Sequence, residues 1–258
     1  MELREILQLL RDGKIGIDEA DAKIKLLAVS KIEGACLDIS RELRKGVPEI
    51  VYAEGKSIED LLAIVDSFLK SDGKIVITRA NEAQAGELMK RFQHTARIRY
   101  DKRSRVMVVN SSKSSSTFDR VGKVAVLTAG TADIGIAEEA KAVLEEMGCE
   151  VISFYDVGIA GIHRVFPAVK KCITENVAAV IVVAGMEGAL ASVISSLVSV
   201  PVIGVPSSSG YGMGGKGEGA LVSMLQSCSP GLVVVNIDNG VGAAVAAALI
   251  AKRCRLNK

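Results

Sequence analysis

The sequence contains no tryptophan, only nine tyrosines and phenylalanines together, and two histidines among 258 residues. It therefore lacks the aromatic platforms on which single-stranded nucleic acids stack. An excess of one charge sign is also missing, since 32 basic and 30 acidic residues leave a net charge of +2. This balance argues against a nucleic-acid partner that is bound mainly through phosphate neutralisation.

The cysteines are few, odd in number and without CxxC spacing, which excludes a disulfide framework and a cysteine-based zinc site. With only two histidines, a histidine-rich metal site is excluded as well. We expect Cys36, Cys149, Cys172 and Cys254 to be small buried hydrophobic residues. Cys228 differs because it lies in the turn SCSPG, where exposure and a lowered pKa are expected. It is the best-placed candidate nucleophile.

No uninterrupted run of eighteen apolar residues occurs, so no membrane-spanning helix is predicted. The N-terminal MELREILQLLRDGK reads as an amphipathic helix rather than a signal peptide. We therefore expect a cytoplasmic protein with no membrane partner. A hydrophobic content of 49% over 258 residues is sufficient for a large core and for two domains.

Residues 1–120 predict a smaller α/β domain. Two short helices come first, broken at Asp12-Gly13, with Asp18 placed to cap the second. PEIVYA and KIVIT then read as strands, SIEDLLAIVDSFLK and NEAQAGELMKRF as helices, and RIRY with RVMVV as a hairpin across DKRS. The serine-rich segment NSSKSSST at 110–117 has no apolar residue and predicts a linker, which places the domain boundary near residue 120.

Residues 121–258 predict a doubly wound, flavodoxin-like parallel sheet. The apolar runs VAVLT, EVISFY, AAVIVVA, PVIGV and LVVVNI alternate with helical stretches that begin near Asp133, His163, Glu187, Gly217 and Gly240. Ligands of such sheets bind at the carboxyl ends of the strands, where the strand order reverses. The turns that follow the strands therefore carry the candidate site.

The turn after the first of these strands, AGTAD, is the centre of the predicted site. Gly130 allows a sharp turn, and Thr131 and Asp133 are good N-cap residues, so free N–H groups and the helix dipole point above the strand. Such a turn suits a phosphate or a ribose. Without a full fingerprint it equally fits a well-capped connection.

Polar residues also follow the next two strands. DVGIAGIHRVF contains His163 beside Arg164, and an arginine there offers a bidentate phosphate contact. AGMEGA places Glu187 among small residues, including Gly185, at a helix start. If those neighbours bury the carboxylate, its pKa rises and it can accept a proton; otherwise it merely complements the helix dipole.

The stretch PSSSGYGMGGKGEGA follows the fourth strand, and six of its fifteen residues are glycine. Such a loop is costly to order, and it favours close approach to a ligand, here through Gly210 and Gly215, or a lid. Lys216 and Glu218 inside it favour a binding role over an inert surface loop. It is not a Walker loop, because Gly217 follows Lys216.

These motifs, in this order, resemble a known family. AGTAD, AGIHR, VAGMEG, VIGVP and DNGVGAA resemble the aminoimidazole ribonucleotide carboxylases (PurE) over residues 121–258. PurE has no such N-terminal domain and no cysteine at the SCSPG position. DISRELRKGVPEIVYAEGK, DVGIAGIHR, AGMEGALASV, the glycine loop and LQSCSPG extend the resemblance over the whole chain to the LarB family. Those PurE-related enzymes carboxylate and hydrolyse nicotinate adenine dinucleotide for the nickel-pincer nucleotide cofactor of lactate racemase.

The resemblance implies a chemistry in which the Cys228 thiolate adds to the pyridinium ring, so that an enamine carbon can attack CO2. Glu187 is then the candidate base for the ring proton and His163 a weaker one. Hydrolysis of the phosphoanhydride to release AMP would use Mg²⁺ and Arg164, with Asp133 and Glu218 orienting ribose, metal or water. The mechanism requires an exposed Cys228 thiol close to the groove above Thr131.

The resemblance also implies that neither ATP nor biotin takes part, and that the chain forms a homo-oligomer, expected to be an octamer, in which GAAVAAALIAKRC serves as a packing helix. Arg41, Arg44 and Lys56 would hold the adenylate half of the dinucleotide. Two alternatives stay open. The first is a PurE-type carboxylase or mutase of an imidazole ribonucleotide, which needs no thiol; the second is a nucleotide-binding regulator without chemistry.

Overall fold

The computed structural model describes residues 3–27, 29–32, 35–38, 45–70, 73–111 and 120–256. By its contacts the chain divides into two units. The first comprises Met1–Lys102 with Val106–Ser115, and the second comprises Arg103–Arg105 with Ser116–Lys258. Each unit has its own hydrophobic core.

The described residues of the first unit form four helices, a two-stranded antiparallel sheet and a four-stranded mixed sheet of order β3-β4-β6-β5. Apolar side chains of α3 and α4 pack with those of the larger sheet in one core. Its elements are α1 (Leu3–Arg11), α2 (Ile17–Leu27), β1 (Val29–Ile32), β2 (Ala35–Asp38), β3 (Glu49–Tyr52), α3 (Ile58–Lys70), β4 (Lys74–Thr78), α4 (Glu82–Phe92), β5 (Ala96–Asp101) and β6 (Val106–Ser111).

Three predictions for this unit need comment. Asp18 was expected to cap α2 but lies inside its first turn, because the helix begins one residue earlier. Asn110 and Ser111 were assigned to the linker but end strand β6, while 112–119 lie outside the described residues. Lys56 donates to the Tyr52 carbonyl oxygen at 3.0 Å. Arg41 and Arg44 lie outside the described residues.

The second unit is the predicted doubly wound α/β fold. Five parallel strands lie in the order β11-β10-β9-β7-β8, so that the first and third strands of the unit are neighbours and the order reverses between them. Its elements are β7 (Gly122–Thr128), α5 (Ile134–Glu146), β8 (Cys149–Phe154), α6 (Val165–Thr174), β9 (Ala179–Ala184), α7 (Ala189–Leu197), β10 (Val202–Pro206), α8 (Glu218–Leu225), β11 (Leu232–Val234) and α9 (Gly240–Leu256).

The last helix, α9, packs against its own chain along one face. Its small side chains Ala243, Ala244, Ala247 and Ala251 are buried, and the helix packs on α5 and on the strands of its own sheet. Close approach between helix and sheet explains this run of alanines. The alanine face is therefore used inside one chain, whereas Leu249 on the same helix is exposed, and packing of this helix between copies stays a prediction. Among the described residues, no helix has both the length and the apolar content needed to cross a membrane.

Candidate functional site

A cavity of about 410 Å³ lies at the carboxyl edge of the second unit's sheet, where the strand order reverses between β7 and β9. This is the position at which flavodoxin-like sheets bind their ligands. Each wall comes from a turn that follows a strand. The residues that line the cavity include Gly130, Thr131, Asp133, Asp156, Gly158, Gly185, Met186, Glu187, Ser209 and Tyr211.

Asp133 is the buried charged group of the cavity wall, with 3% of its surface exposed. One carboxylate oxygen accepts the Gly130 N–H at 2.9 Å, and the other accepts the Ser209 hydroxyl at 2.7 Å. Asp133 therefore reaches back across its own turn and forward to the turn after β10, rather than capping α5. Two hydrogen bonds to the charged form compensate for its burial.

Gly130 does not play the role predicted from its lack of a side chain. Its φ of −128° and ψ of 174° are extended backbone that any residue adopts. An added Cβ would make only an ordinary 3.7 Å contact with the Asp133 carboxylate. Thr131, in contrast, lines the cavity and is exposed at its mouth, as a ligand-contacting residue must be.

Two serines of the PSSSG segment support Asp133, and the sequence reasoning did not select them. The buried Ser207 hydroxyl donates to Ser209 Oγ at 2.9 Å, and the Ser209 N–H donates back to Ser207 Oγ at 3.2 Å. Three consecutive serines directly after a strand were the available signal.

The turn after β9 packs closely against this serine segment. A Cβ added to Gly185 would lie 2.7 Å from Ser209 Oγ, and one added to Gly210 would lie 2.7 Å from the Met186 nitrogen. A larger residue at either position would clash with the neighbouring turn, so both positions require glycine. Glu187 lines the cavity but is exposed, so the burial on which its predicted role as proton acceptor depended is not present in the described chain.

The glycine loop is a packed structure. A Cβ on Gly214 would lie 2.8 Å from the Gly219 Cα, and one on Gly217, whose φ is +84°, would lie 2.7 Å from the Ile237 side chain. Tyr211 was not selected from the sequence, yet it lines the cavity with 78% of its surface exposed. The cavity lining formed by described residues includes none of the predicted Gly210, Gly215, Lys216 and Glu218.

The turn after β8 supplies the remaining wall. A Cβ on Gly158 would lie 2.6 Å from the Ala129 carbonyl oxygen, so this glycine lets the turns after β7 and β8 meet. Asp156 lines the cavity, and its carboxylate accepts from Arg164 Nη1 at 2.7 Å. Arg164 and the exposed His163 are not among the described residues that line the cavity.

Cys228 is exposed as predicted, but it lies at the other edge of the sheet. Its turn joins α8 to the start of β11, where the Val202 N–H donates to the Gly231 carbonyl oxygen at 3.0 Å. The five residues of β10 span about 16 Å at ~3.3 Å each, and they separate this turn from the cavity. The expectation that Cys228 lies near Thr131 in the same chain is therefore wrong, because residues before a parallel strand lie at its amino edge.

The other thiols divide into two groups. Cys149 and Cys172 are buried as predicted, and desolvation raises the pKa of each to about 11. Cys254 was expected to be buried but is exposed in the last turns of α9. The side chain of Cys36 lies outside the described part of the chain. Of the described thiols, Cys228 and Cys254 can react without local unfolding.

The cavity does not fit a metal ion held by the protein alone. Within the described residues, no group of three or more histidine, cysteine, aspartate or glutamate side chains could hold a metal. Both Asp133 oxygens already accept hydrogen bonds, and Asp156 is paired with Arg164. Magnesium stays a prediction for an ion that arrives with the substrate phosphates, as it commonly does.

The fold and the cavity define a flavodoxin-like α/β protein with a cavity at the strand reversal, and comparison with known proteins specifies its family. Residues 123–256 match the AIR carboxylase family, and residues 29–112 match the LarB/PurE-like N-terminal domain. The chain belongs to the LarB/PurE-like family, with a LarB-type N-terminal domain and a PurE-like C-terminal domain.

Individual relatives agree with this assignment. The uncharacterized protein MJ0165 of Methanocaldococcus jannaschii is 46% identical over 253 residues, which cover 97% of each chain. The N5-carboxyaminoimidazole ribonucleotide mutase of the same organism is 34% identical over 127 residues, 48% of this chain and 75% of that protein. A solved structure, Treponema denticola PurE2-S38D, covers 52% of this chain and 90% of its own at 19% identity, with a TM-score of 0.38.

Proposed function

We propose that this protein carboxylates the pyridinium ring of nicotinate adenine dinucleotide with CO2 and hydrolyses its phosphoanhydride to release AMP. The product would be pyridinium-3,5-biscarboxylate mononucleotide, a precursor of the nickel-pincer nucleotide. The single observation that carries the proposal is the cavity at the strand reversal, walled by the buried Asp133, in a chain whose N-terminal domain is of the LarB type.

A pyridinium ring is electron-poor and cannot attack CO2 unless a nucleophile first adds to it. The thiolate forms a C–S bond, and the ring becomes a dihydropyridine with a nucleophilic enamine carbon. That carbon forms the new C–C bond to CO2, a base takes its proton, and the C–S electrons return to sulfur as the ring regains aromaticity. Glu187 lines the cavity but is exposed in the single chain, so we propose it as the base only in an assembly in which a second copy covers it.

Because the Cys228 thiol lies at the opposite edge of the sheet, this step requires the thiol of a second copy. Tyr211 and Met213 are apolar and strongly exposed in the glycine loop, and Met186 is exposed beside them. Large apolar side chains that are this exposed favour contact with another protein surface. We therefore propose a homo-oligomer, with eight copies as predicted, in which one chain's Cys228 faces another chain's cavity.

The alternative is a PurE-type carboxylase or mutase of an imidazole ribonucleotide, and one observation favours it. Its substrate is already an enamine and needs no thiol, which agrees with a cavity that has no cysteine among its described lining residues. The similarity of the second unit to an imidazole ribonucleotide mutase points the same way.

Mass spectrometry of the products from nicotinate adenine dinucleotide and ¹³C-labelled bicarbonate tests the proposal. We expect a labelled biscarboxylate mononucleotide and AMP from the wild type, and neither from Cys228→Ser. Cys254→Ser, an exposed thiol outside the cavity, is the matched control and should keep full activity. Turnover of aminoimidazole ribonucleotide by Cys228→Ser would favour the alternative. Dinucleotide that binds tightly and is recovered unchanged would indicate a regulator.

A further inference from the structure

The loop between β8 and α6 is closed by one ion pair between its two ends. Asp156 Oδ2 lies 2.7 Å from Arg164 Nη1, with 50% of the aspartate side chain and 37% of the arginine side chain exposed. Asp156 is part of the cavity wall, whereas the described lining residues do not include Arg164. The guanidinium is therefore paired with a residue of the cavity wall without itself lining the cavity.

The backbone around this pair is built to hold it. Asp156 has a φ of +57°, a backbone conformation that, among residues with a side chain, aspartate and asparagine adopt most readily. Its N–H donates to the Thr128 hydroxyl at 3.0 Å, and the Val157 N–H donates to the Thr128 carbonyl oxygen at 2.9 Å. Asp156 is thus fixed to the end of β7, next to the AGTAD turn.

Gly161 provides the space in which the arginine side chain bends back. A Cβ at Gly161 would lie 2.7 Å from Arg164 Nε and 3.2 Å from Nη2, so any side chain there would push the guanidinium away. The φ of Gly161 is −127°, which other residues also adopt. Glycine is therefore needed here because a side chain would not fit beside the guanidinium.

We propose that Asp156 and Arg164 form a displaceable clasp: a phosphate group of the ligand takes the place of the Asp156 carboxylate on Arg164. A half-exposed ion pair contributes little in water, whereas a bidentate guanidinium–phosphate pair is strong and directional. Asp156 competes with the phosphate for Arg164 and repels it from the cavity wall. Asp156 is thus a specificity residue, because it disfavours every anion that cannot replace it on the arginine. The inference rests on the proposed function only in assuming a phosphate-bearing ligand.

Calorimetric binding of two matched ligand pairs separates the clasp from the proposed function. The pairs are nicotinate mononucleotide with nicotinate riboside, and aminoimidazole ribonucleotide with its riboside. The pair that binds the wild type decides which substrate class is correct. The clasp predicts only the difference in affinity between a mononucleotide and its riboside, so it can be tested with either pair.

Asp156→Asn removes the competing charge and keeps a residue that tolerates positive φ. We expect it to tighten binding of the phosphorylated member about three- to fivefold relative to binding of the riboside, the scale of a half-exposed ion pair. Arg164→Gln should weaken the phosphorylated member about tenfold, and Asp156→Asn should then have no effect in that background. Gly161→Ala, which displaces the guanidinium without a charge change, should weaken phosphate binding.

A purely structural role of the ion pair would give another pattern. Asp156→Asn would then weaken both members of a pair equally, or leave both unchanged, and either result overturns the clasp. Tightening that persists in the Arg164→Gln background overturns it as well. Failure of both mononucleotides to bind the wild type at millimolar concentration would also overturn it, because Arg164 would then have no phosphate to hold.

Discussion

The two edges of the parallel sheet in the second unit hold their polar groups in different ways. At the carboxyl edge, Asp133 is buried and both of its oxygens accept hydrogen bonds within the wall of a cavity. At the amino edge, the exposed Cys228 lies in the turn before β11. A hydrogen bond from Ser195 Oγ of α7 to the Pro230 carbonyl oxygen, at 2.9 Å, holds this turn against the helix. One edge has a cavity whose wall is fixed by hydrogen bonds, and the other presents an exposed thiol. A site that needs both requires more than one chain.

The largest effect is expected from Asp133→Asn. The amide cannot accept from both the Gly130 N–H and the Ser209 hydroxyl, so the turn must shift. We expect a loss of about 100-fold in kcat, the scale of a misplaced catalytic group, and about 2 kcal/mol of unfolding free energy. Steady-state kinetics and urea unfolding measure the two losses.

Ser209→Ala is the control for that variant, because it removes one donor and leaves the carboxylate in place. Its cost should be about 1 kcal/mol. An equal and small effect of both variants would show that Asp133 is an ordinary structural residue, and that the carboxyl edge is no more preorganised than the amino edge.

A smaller effect is expected from adding one methyl group to the cavity wall. In Gly158→Ala the new Cβ would lie 2.6 Å from the Ala129 carbonyl oxygen, and forcing the two turns apart should cost about 2 kcal/mol. Gly130→Ala, which meets only the Asp133 carboxylate at 3.7 Å, should change stability by no more than about 0.5 kcal/mol. Urea unfolding of the two alanine variants gives the comparison. Equal stabilities would contradict the packing described here.

The smallest effect belongs to the amino edge, where Glu175 pairs with Lys123 at 2.6 Å and with Lys171. Hydrogen bonds from Lys123 and then Lys171 lower the pKa of Glu175 from its ordinary value of 4.5 to about 2. A lowered folded-state pKa gives stability that is present above pH 4.5 and is lost as the pH falls toward 2. The stability difference between wild type and Glu175→Gln should therefore shrink over this range in acid titrations of unfolding. A constant difference would contradict the assignment.

Much of the fold could be predicted because buried parallel strands have a simple signature. The run Ala179–Ala184 is apolar throughout and forms the central strand β9, fully buried as expected. The hydrogen bonds within turns were harder to predict, because several residues of one turn compete for the same backbone groups. Asp133 was expected to cap the following helix, but its carboxylate accepts from Gly130 and Ser209 instead, and the second contact joins residues far apart in sequence.

The position of Cys228 was predictable, and the prediction failed for a reason of topology. The SCSPG turn precedes a parallel strand, so it must lie at the amino edge, whereas AGTAD follows one and lies at the carboxyl edge. The resemblance to a family with a cysteine nucleophile outweighed that argument. Arg164 illustrates a different limit, because its position at a strand end was correct while its pairing with Asp156 depends on side-chain geometry.

The central claim is that the cavity of one chain works with the thiol of another, and mixing two inactive variants tests it most directly. Asp133→Asn retains the thiol and Cys228→Ser retains the cavity. Co-expressed in equal amounts, they should recover about a quarter of wild-type carboxylation, because half of the intact cavities would face an intact thiol. Light scattering should first show that both variants assemble as the wild type does. Activity that stays at the level of the separate variants would contradict the account.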